Sequence, residues 1–258
     1  MGITKEVSSF KFRVSSERYA PTVWLGEKMG HRTPRSQPFV SRQGWAPRGR
    51  TGLWVVLMGP DGVGKSSVIT GLASRLSTGF AGCTTYHLRA GLLRSPRETV
   101  TNCDPHGQAA RGTVISAFKL VYLLVANWLG YFLAIRTQLA RGQLILFDRY
   151  FPDCLIDPLR YRLPTECRRM AALVARLLPR PDLYVVLDAP ANVLQERKCE
   201  VTLAESERQR KEYATQLARM PSVAVVNAAR PLADVVQDVV DRVIDFRLER
   251  YRERYEVA

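Results

Sequence analysis

The chain has 258 residues, 46% of them hydrophobic, and a formal net charge of +14. This length and apolar content suffice for one α/β core preceded by a tail. Its five cysteines form no C-x-x-C pair and its three histidines do not cluster, which argues against a zinc site and predicts reduced, cytosolic thiols.

Residues 1–50 hold ten Lys or Arg and three Glu, which contribute +7, half of the net charge. They alternate polar, basic and Pro- or Gly-containing segments with no persistent period, and they lack the apolar core of a secretory signal. We predict a basic, partly disordered extension over residues 1–50, one folded domain over residues 51–258, and a cytoplasmic location. Basic charge attracts polyanions without specificity, so it does not choose between nucleic acid, acidic membrane and phosphorylated substrates.

Within the folded domain, five short β-rich runs alternate with longer helical stretches. The runs begin at residues 53, 84, 143, 183 and 222. Helices are predicted over about 64–76, 113–140, 164–178, twice within 191–219, and over 231–250. Strands that alternate with helices predict a five-stranded parallel sheet covered by helices on both faces.

One stretch raises the question of a membrane: residues 120–135 are apolar apart from Asn127. A spanning helix needs about 20 such residues, and a shorter run is more often a buried helix. We therefore expect a core helix and no transmembrane segment, with peripheral membrane contact as the alternative.

The strongest motif is Gly59–Ser66, GPDGVGKS, which matches the full G-x-x-x-x-G-K-[ST] pattern between the first strand and the first helix. Its glycines let backbone N–H groups point at phosphate oxygens, while Lys65 supplies charge to the β and γ phosphates of ATP. We expect Lys65 to face solvent until nucleotide arrives, and Ser66 to ligate Mg²⁺. The predicted nucleotide-binding residues are Gly59, Pro60, Asp61, Gly62, Val63, Gly64, Lys65, Ser66 and Ser67.

A second motif is the apolar run 144–150, LILFDRY, which ends in an acid. An aspartate at the end of a buried strand can reach the Mg²⁺ shell of a nucleotide held by such a loop. Asp148 is therefore the second predicted metal residue.

Together these motifs resemble those of thymidylate kinases. The resemblance rests on the loop with an acid inside it, on residues 136–150 (RTQLARGQLILFDRY), and on residues 181–198, which resemble the family's fourth strand and lid helix. It covers about residues 52–248. It implies a P-loop NTPase fold with a short lid and transfer of the γ-phosphoryl group of ATP, with Mg²⁺, to a nucleoside monophosphate.

The resemblance also implies residue roles. Arg149 would grip the acceptor's phosphate through its planar fork of donors, and Asp61 would approach the acceptor's sugar. Because the loop carries Gly62 where some family members have a basic residue, the lid should supply the group that stabilises the transferring phosphoryl. The predicted catalytic residues are then Lys65, Arg149 and, as first choice in the lid, Arg197; the other lid candidates are Lys198, Arg208 and Arg210.

Three departures from the family concern the acceptor. The family's Arg-Glu-Pro-Gly motif is replaced by residues 87–91, HLRAG, where Arg89 is the equivalent arginine. Counted back without gaps from Gly142, the family's two base-reading residues fall at Asn127 and Leu129. The segment after Asp-Arg-Tyr adds four charged residues, Asp153, Asp157, Arg160 and Arg162. A different acceptor would explain all three, and the predicted acceptor-binding residues are Asp61, Arg89, Arg149, Arg160 and Arg162.

Three functions stay open on this reasoning. The first is a kinase of thymidine monophosphate or a related nucleoside monophosphate, which acts by positioning and charge neutralisation. The second is a kinase of another small acceptor, such as a sugar or glycan precursor. The third is a non-catalytic NTP-binding regulatory module. The expected partners are ATP and a small phosphorylated acceptor, without obligate nucleic acid, and a homodimer stays open.

Overall fold

The computed structural model of the chain describes residues 51–88, 112–158, 160–197, 202–217, 220 and 222–255. The predicted extension over residues 1–50 lies outside the described residues, so its boundary with the folded domain stays a prediction.

Five strands form one sheet in which every neighbouring pair is parallel, in the order β2-β3-β1-β4-β5. The strands are β1 Leu53–Met58, β2 Cys83–His87, β3 Leu144–Asp148, β4 Leu183–Asp188 and β5 Val223–Asn227. Each lies within about two residues of its predicted run. The predicted fold class, a five-stranded parallel α/β sheet, is confirmed.

The helices follow the strands in alternation. They are α1 Lys65–Leu76, α2 Thr113–Gly130, α3 Arg136–Ala140, α4 Asp153–Ile156, α5 Arg168–Leu177, α6 Ala191–Arg197, α7 Leu203–Leu217 and α8 Leu232–Tyr255. A π-helical turn, Tyr131–Ile135, joins α2 to α3. The predicted helix over 113–140 is therefore one continuous helical rod with a local change in its hydrogen bonding.

The two faces of the sheet bury two different cores. On one face, Leu53, Val55 and Leu57 of β1 pack with residues of α1 and α8. On the other, Trp54, Val56 and Met58 pack with Ile135 and Leu139 near α3 and with Tyr213 of α7. Every residue of β1 is buried, which explains why the strand is a continuous apolar run rather than an alternating one.

The long helix α2 is buried on one face only. Leu120 and Leu123 pack against the segment that follows β3, together with Phe151, Cys154 and Leu163. The opposite face and the π-helical turn that continues it expose large apolar side chains, namely Val114, Ile115, Phe118, Val121, Tyr122, Val125, Leu129, Phe132 and Leu133. The prediction of a buried core helix therefore agrees with the structure for one face of α2 only.

By length and composition the helical stretch Thr113–Ala140 would suffice to cross a membrane, and 33% of its most apolar window is buried in the domain. Partial burial of this kind is also what a surface helix of a soluble domain shows.

Candidate active site

The candidate site lies at the edge of the sheet where the parallel strands end, the usual location of ligand sites in such sheets. Asp148 ends β3, and its register partners are Leu57 of β1 and His87 of β2. Asp188 ends β4 at the same edge. The glycine loop, residues 59–64, leaves β1 there and leads directly into α1.

The backbone of this loop requires glycine at its two ends. Gly59 has φ 149°, and a Cβ there would lie 2.4 Å from the carbonyl oxygen of Leu187. Gly64, the residue before α1, has φ 92°, in the left-handed region that favours glycine. Because the N–H groups of the first helical turn have no partner inside the helix, the N-terminus of α1 is suited to bind an anion.

Lys65 turns back onto the loop. Its Nζ donates to the carbonyl oxygens of Gly59 and Pro60, each at 2.8 Å, and the residue is buried. Burial and the positive charge of Arg149 lower the pKa of Lys65 to about 7. The expectation that Lys65 faces solvent is therefore wrong, because the loop's own carbonyls accept the ammonium.

Ser66 and Asp148 lie together, as a shared metal site requires. The Ser66 hydroxyl donates to Oδ2 of Asp148 at 2.9 Å. Oδ1 of Asp148 is buried and has no hydrogen-bond partner within the part of the chain that the structure describes, so one carboxylate oxygen is left over for another ligand. A hard cation such as Mg²⁺ prefers these oxygens, and it takes few protein ligands when phosphates supply the rest. The residues present fit a Mg²⁺ site completed by a nucleotide.

Two arginines share the carboxylate of Asp61. Arg149 ion-pairs with it, and one nitrogen of Arg160 donates to both of its oxygens, at 2.7 and 2.6 Å. Burial alone would raise the pKa of Asp61, but the positive charges of Arg149 and Arg160 outweigh burial and hold that pKa well below its ordinary value. The predicted acceptor residues Asp61, Arg149 and Arg160 therefore form one charged cluster, which joins the glycine loop through Asp61.

Asp153 anchors the other side of Arg149 and was not among the predicted site residues. It accepts hydrogen bonds from Nη1 of Arg149 at 2.6 Å and from the hydroxyl of Tyr161 at 3.1 Å. The hydroxyl of Tyr213, from α7, also contacts this carboxylate. Asp153 is 1% exposed. Its charge next to Asp-Arg-Tyr was visible in the sequence, but Tyr213 lies 60 residues away in a charged helix and carries no local signal.

The arginines of the lid lie at different places. Arg197 ends α6 and donates to the carbonyl oxygen of Ala228 at 2.7 Å, just after β5. Arg210 of α7 forms a bidentate ion pair with Asp188, the last residue of β4. Its Nε and Nη2 donate to the two carboxylate oxygens at 2.8 and 3.0 Å. Arg208 pairs with Glu205 one turn before it on the same helix.

Three further described positions from the sequence analysis are Arg162 and the two aligned with the family's base contacts, Asn127 and Leu129. Arg162 has a left-handed backbone conformation, with φ 54°. The amide of Asn127 donates to the carbonyl oxygen of Leu123 in its own helix at 2.8 Å. Leu129 is partly exposed on α2, and its side chain has no hydrogen-bonding group. Arg89 and Lys198 lie outside the described residues.

Fold and loop together define a P-loop nucleotide-binding protein. None of the protein-family models that were compared matches the chain. It is 33% identical over 141 residues to a thymidylate kinase of Xanthomonas campestris pv. campestris, and 30% identical over 142 residues to one of Xanthomonas euvesicatoria pv. vesicatoria. Each match covers 54% of this chain and 57% of the relative, so the chain spans little more than half the length of these curated relatives.

The match to a thymidylate kinase of Pseudomonas fluorescens is longer. It is 31% identical over 223 residues and covers 78% of this chain and 99% of that protein. The chain belongs to the thymidylate kinase family. Membership in this family supports a nucleotide kinase function.

Proposed function

We propose that the chain transfers the γ-phosphoryl group of ATP to a nucleoside monophosphate or a related phosphorylated acceptor. The observation that carries this proposal is that the phosphate-binding loop with Lys65 and the arginine cluster on Asp61 lie side by side at one edge of the sheet. Phosphoryl transfer needs donor and acceptor phosphates held in line and their charge neutralised, and it needs no protein nucleophile. A cytoplasmic enzyme is consistent with the free thiols of Cys83, Cys154 and Cys167.

On this proposal the loop holds ATP. Backbone N–H groups of residue 59 and of residues 61–67 surround the phosphates, and the ammonium of Lys65, which has a third proton, contacts them. Ser66 and Asp148 would hold Mg²⁺ directly or through its water, which would neutralise charge on the phosphates.

The geometry favours Arg210 over Arg197 as the lid residue that meets the transferring phosphoryl. Arg210 lies one turn before Tyr213 on the same face of α7, and the hydroxyl of Tyr213 reaches the carbonyl oxygen of Gly59 at 2.9 Å. Arg210 therefore faces the loop, whereas Arg197 is directed at Ala228. A guanidinium so placed can turn from Asp188 to phosphate oxygens with the same fork geometry.

Acceptor choice follows from the arginine cluster. Arg149 and Arg160 present two guanidinium groups on one carboxylate, whereas the amide of Asn127 donates within its own helix and the side chain of Leu129 has no hydrogen-bonding group. A site with few polar groups aimed at a base cannot reject other bases strongly. We therefore propose that the acceptor is held mainly through its anionic group, which keeps a sugar phosphate open as the second candidate acceptor.

The test is kcat/KM with ATP and Mg²⁺ for thymidine, uridine and cytidine monophosphates and for a panel of sugar phosphates. We expect no preference for thymidine monophosphate above about 100-fold, or about 2.7 kcal/mol. A larger preference would show an ordinary thymidylate kinase. Nucleotide binding without turnover on any acceptor would favour the non-catalytic regulatory module instead.

We also propose that a second copy of the chain covers the exposed face of α2. Single apolar side chains on a surface are normal, but a contiguous apolar face of this extent marks an interface. Helices that lie on membranes are rich in Lys and Arg, whereas residues 113–135 carry one charge, Lys119, whose Nζ donates to the carbonyl oxygen of Tyr161. An isologous contact matches one apolar face with its own copy.

A further inference from the structure

Asp157 connects the loop that carries Arg160 to the lid helix α7. The residue is 3% exposed. Its Oδ1 accepts a hydrogen bond from the backbone N–H of Arg160 at 3.2 Å, and its Oδ2 accepts one from Nε2 of Gln209 on α7 at 3.3 Å. Asp157 is one of the four charged residues that follow Asp-Arg-Tyr, but it was not among the predicted site residues. Its carboxylate joins one of the acceptor arginines to the lid.

A buried carboxylate is costly unless hydrogen bonds satisfy it, so these two donors hold it in place. The bond to the N–H of Arg160 closes a turn of the kind that Asp side chains favour. Gln209 lies 52 residues further along the chain than Asp157. Its neighbour Arg208 donates to the carbonyl oxygen of Ile156 at 3.2 Å. The start of the turn is thus joined to α7 at two adjacent points.

Arg160 is held at both its main chain and its guanidinium. Asp157 accepts from the main-chain N–H, and Asp61 accepts two hydrogen bonds from Nη1. Among the described contacts the guanidinium uses Nη1 alone, so Nε and Nη2 are the donors available to an anionic acceptor. The side chain is 27% exposed, so a ligand can reach it. A side chain that is already ordered loses less conformational entropy on binding, and a small displacement of its main chain would misalign these donors.

We propose that Asp157 is a positioning residue that sets the place of Arg160 for acceptor binding and ties it to the lid helix α7. The carboxylate does not touch the acceptor but acts through the main chain of Arg160. Gln209 fixes this carboxylate from the side of the lid, so a change at that position of α7 reaches Arg160. This inference rests on the proposed role of Arg160 in holding the acceptor.

The first test is a double-mutant cycle in urea unfolding, which needs no acceptor. The variants are Asp157→Ala, Arg160→Ala and the two combined. If Asp157 holds Arg160 on Asp61, the two single losses overlap. The loss in the double variant should then be smaller than the product of the single losses by at least about threefold in the unfolding equilibrium constant. Losses that combine without overlap would overturn the inference.

The second test is the steady-state KM for thymidine monophosphate with ATP and Mg²⁺. Asp157→Ala should raise this KM about fivefold and change the KM for ATP less than about twofold, because only the acceptor arginine is displaced. Asp157→Asn should stay within about twofold of the wild-type value. Its side-chain carbonyl oxygen still accepts from the N–H of Arg160, and the amide of Gln209 can turn to accept from its nitrogen. An unchanged KM in Asp157→Ala, or equal rises for both substrates, would contradict the positioning role.

Gln209→Ala tests the connection to the lid and takes the place of Asp157→Ala if that variant does not fold. It should raise the KM for thymidine monophosphate about threefold. Gln216→Ala is the matched control, because it removes the same side chain from α7, where its Nε2 donates to Glu212 of the same helix at 2.8 Å. Its KM should match that of the wild type, and equal KM values in the two glutamine variants would refute the connection. A wild-type protein that phosphorylates no acceptor would instead overturn the proposed function, and the unfolding cycle would still decide whether Asp157 holds Arg160.

Discussion

Arg160 donates one guanidinium nitrogen to both carboxylate oxygens of Asp61, at 2.7 and 2.6 Å, and so brings a second arginine to the residue that already pairs with Arg149. If this pair holds the anionic group of the acceptor, Arg160→Ala should raise the acceptor's KM about tenfold, as expected for one charge-assisted hydrogen bond at a partly exposed site. The KM for ATP should change less than about twofold.

Steady-state kinetics with both substrates varied will check this. Arg168→Ala is the control, since that arginine pairs with Glu212 on the surface. Equal rises in both KM values would show that Arg160 supports the loop instead of the acceptor.

Lys65→Met should lower kcat at least about 100-fold, because preorganised charge at a transferring phosphoryl group contributes several kcal/mol. Its melting temperature should fall only slightly. The carbonyl oxygens of Gly59 and Pro60 lose a donor, but the replacement keeps an apolar stem and removes an ammonium whose pKa is already lowered to about 7 by burial. Arg75→Ala, at the far end of α1, is the control. Turnover within tenfold of wild type would refute the role of Lys65.

Ser66→Ala and Asp148→Asn should each shift the Mg²⁺ dependence of the reaction to higher concentration, by roughly tenfold, since each removes an oxygen ligand or its charge. Thr70→Ala, one turn along α1, provides the comparison, because its hydroxyl donates to the carbonyl oxygen of Ser66 and not to the site. Mg²⁺ titrations that coincide in wild type and both variants would remove these residues from the metal site.

The ion pairs of Arg149 should make the stability depend on pH. Despite burial, which alone would raise them, the pKa values of Asp61 and Asp153 are lowered by neighbouring arginines. A lowered pKa in the folded state stabilises the fold fully above the unfolded value of about 4, and this contribution is lost as the pH falls below it. The free energy of unfolding in urea should therefore fall steeply below about pH 4.

Asp153→Asn should be less stable than wild type at pH 7 by about 1–3 kcal/mol and should show a flatter decline in acid. The exposed Asp234→Asn, on α8, should retain the wild-type decline. An Asp153→Asn curve parallel to that of the wild type would mean that other groups cause the acid sensitivity.

The wild-type protein should elute as a dimer of twice 29.1 kDa in size-exclusion chromatography with light scattering. Phe118 is 74% exposed on α2, and Phe118→Glu should give a monomer because it places like charges across a two-fold contact. Leu248→Glu is the control, because it introduces the same charge at an exposed apolar residue of α8. This variant should remain a dimer. A monomeric wild type that sediments with anionic vesicles would assign the face to membrane instead.

The strands and most of the helices were predicted well, because each is marked by a pattern in its own stretch of sequence. Each strand is a short apolar run, and the glycine loop fixes where β1 ends and α1 begins. The helix α4 was missed, since four residues are too few to show a helical period. The last helix runs to Tyr255 rather than Arg250, because charged residues continue a helix without an apolar face.

The site was predictable only in part. The proximity of Ser66 to Asp148 followed from parallel strands that end at one edge. By contrast, the pairing of Asp61 with Arg160 and the contacts of Asp153 with Tyr213 depend on how distant segments fold together. The burial of Lys65 likewise depends on carbonyls that only the folded loop presents.

The backbone at Arg149 determines where the site can be redesigned. Arg149 has φ 67°, a left-handed conformation that costs a non-glycine residue about 1 kcal/mol or more, and its N–H donates to Leu57 O at 2.9 Å, at the end of β1. The main chain at the sheet edge thus fixes where this side chain begins, and its ion pairs with Asp61 and Asp153 hold the guanidinium. To change the acceptor by design, Arg149 should be kept and Arg160 varied. A substitution of Arg160 alters the charge offered to the acceptor without changing the backbone at the edge of the sheet.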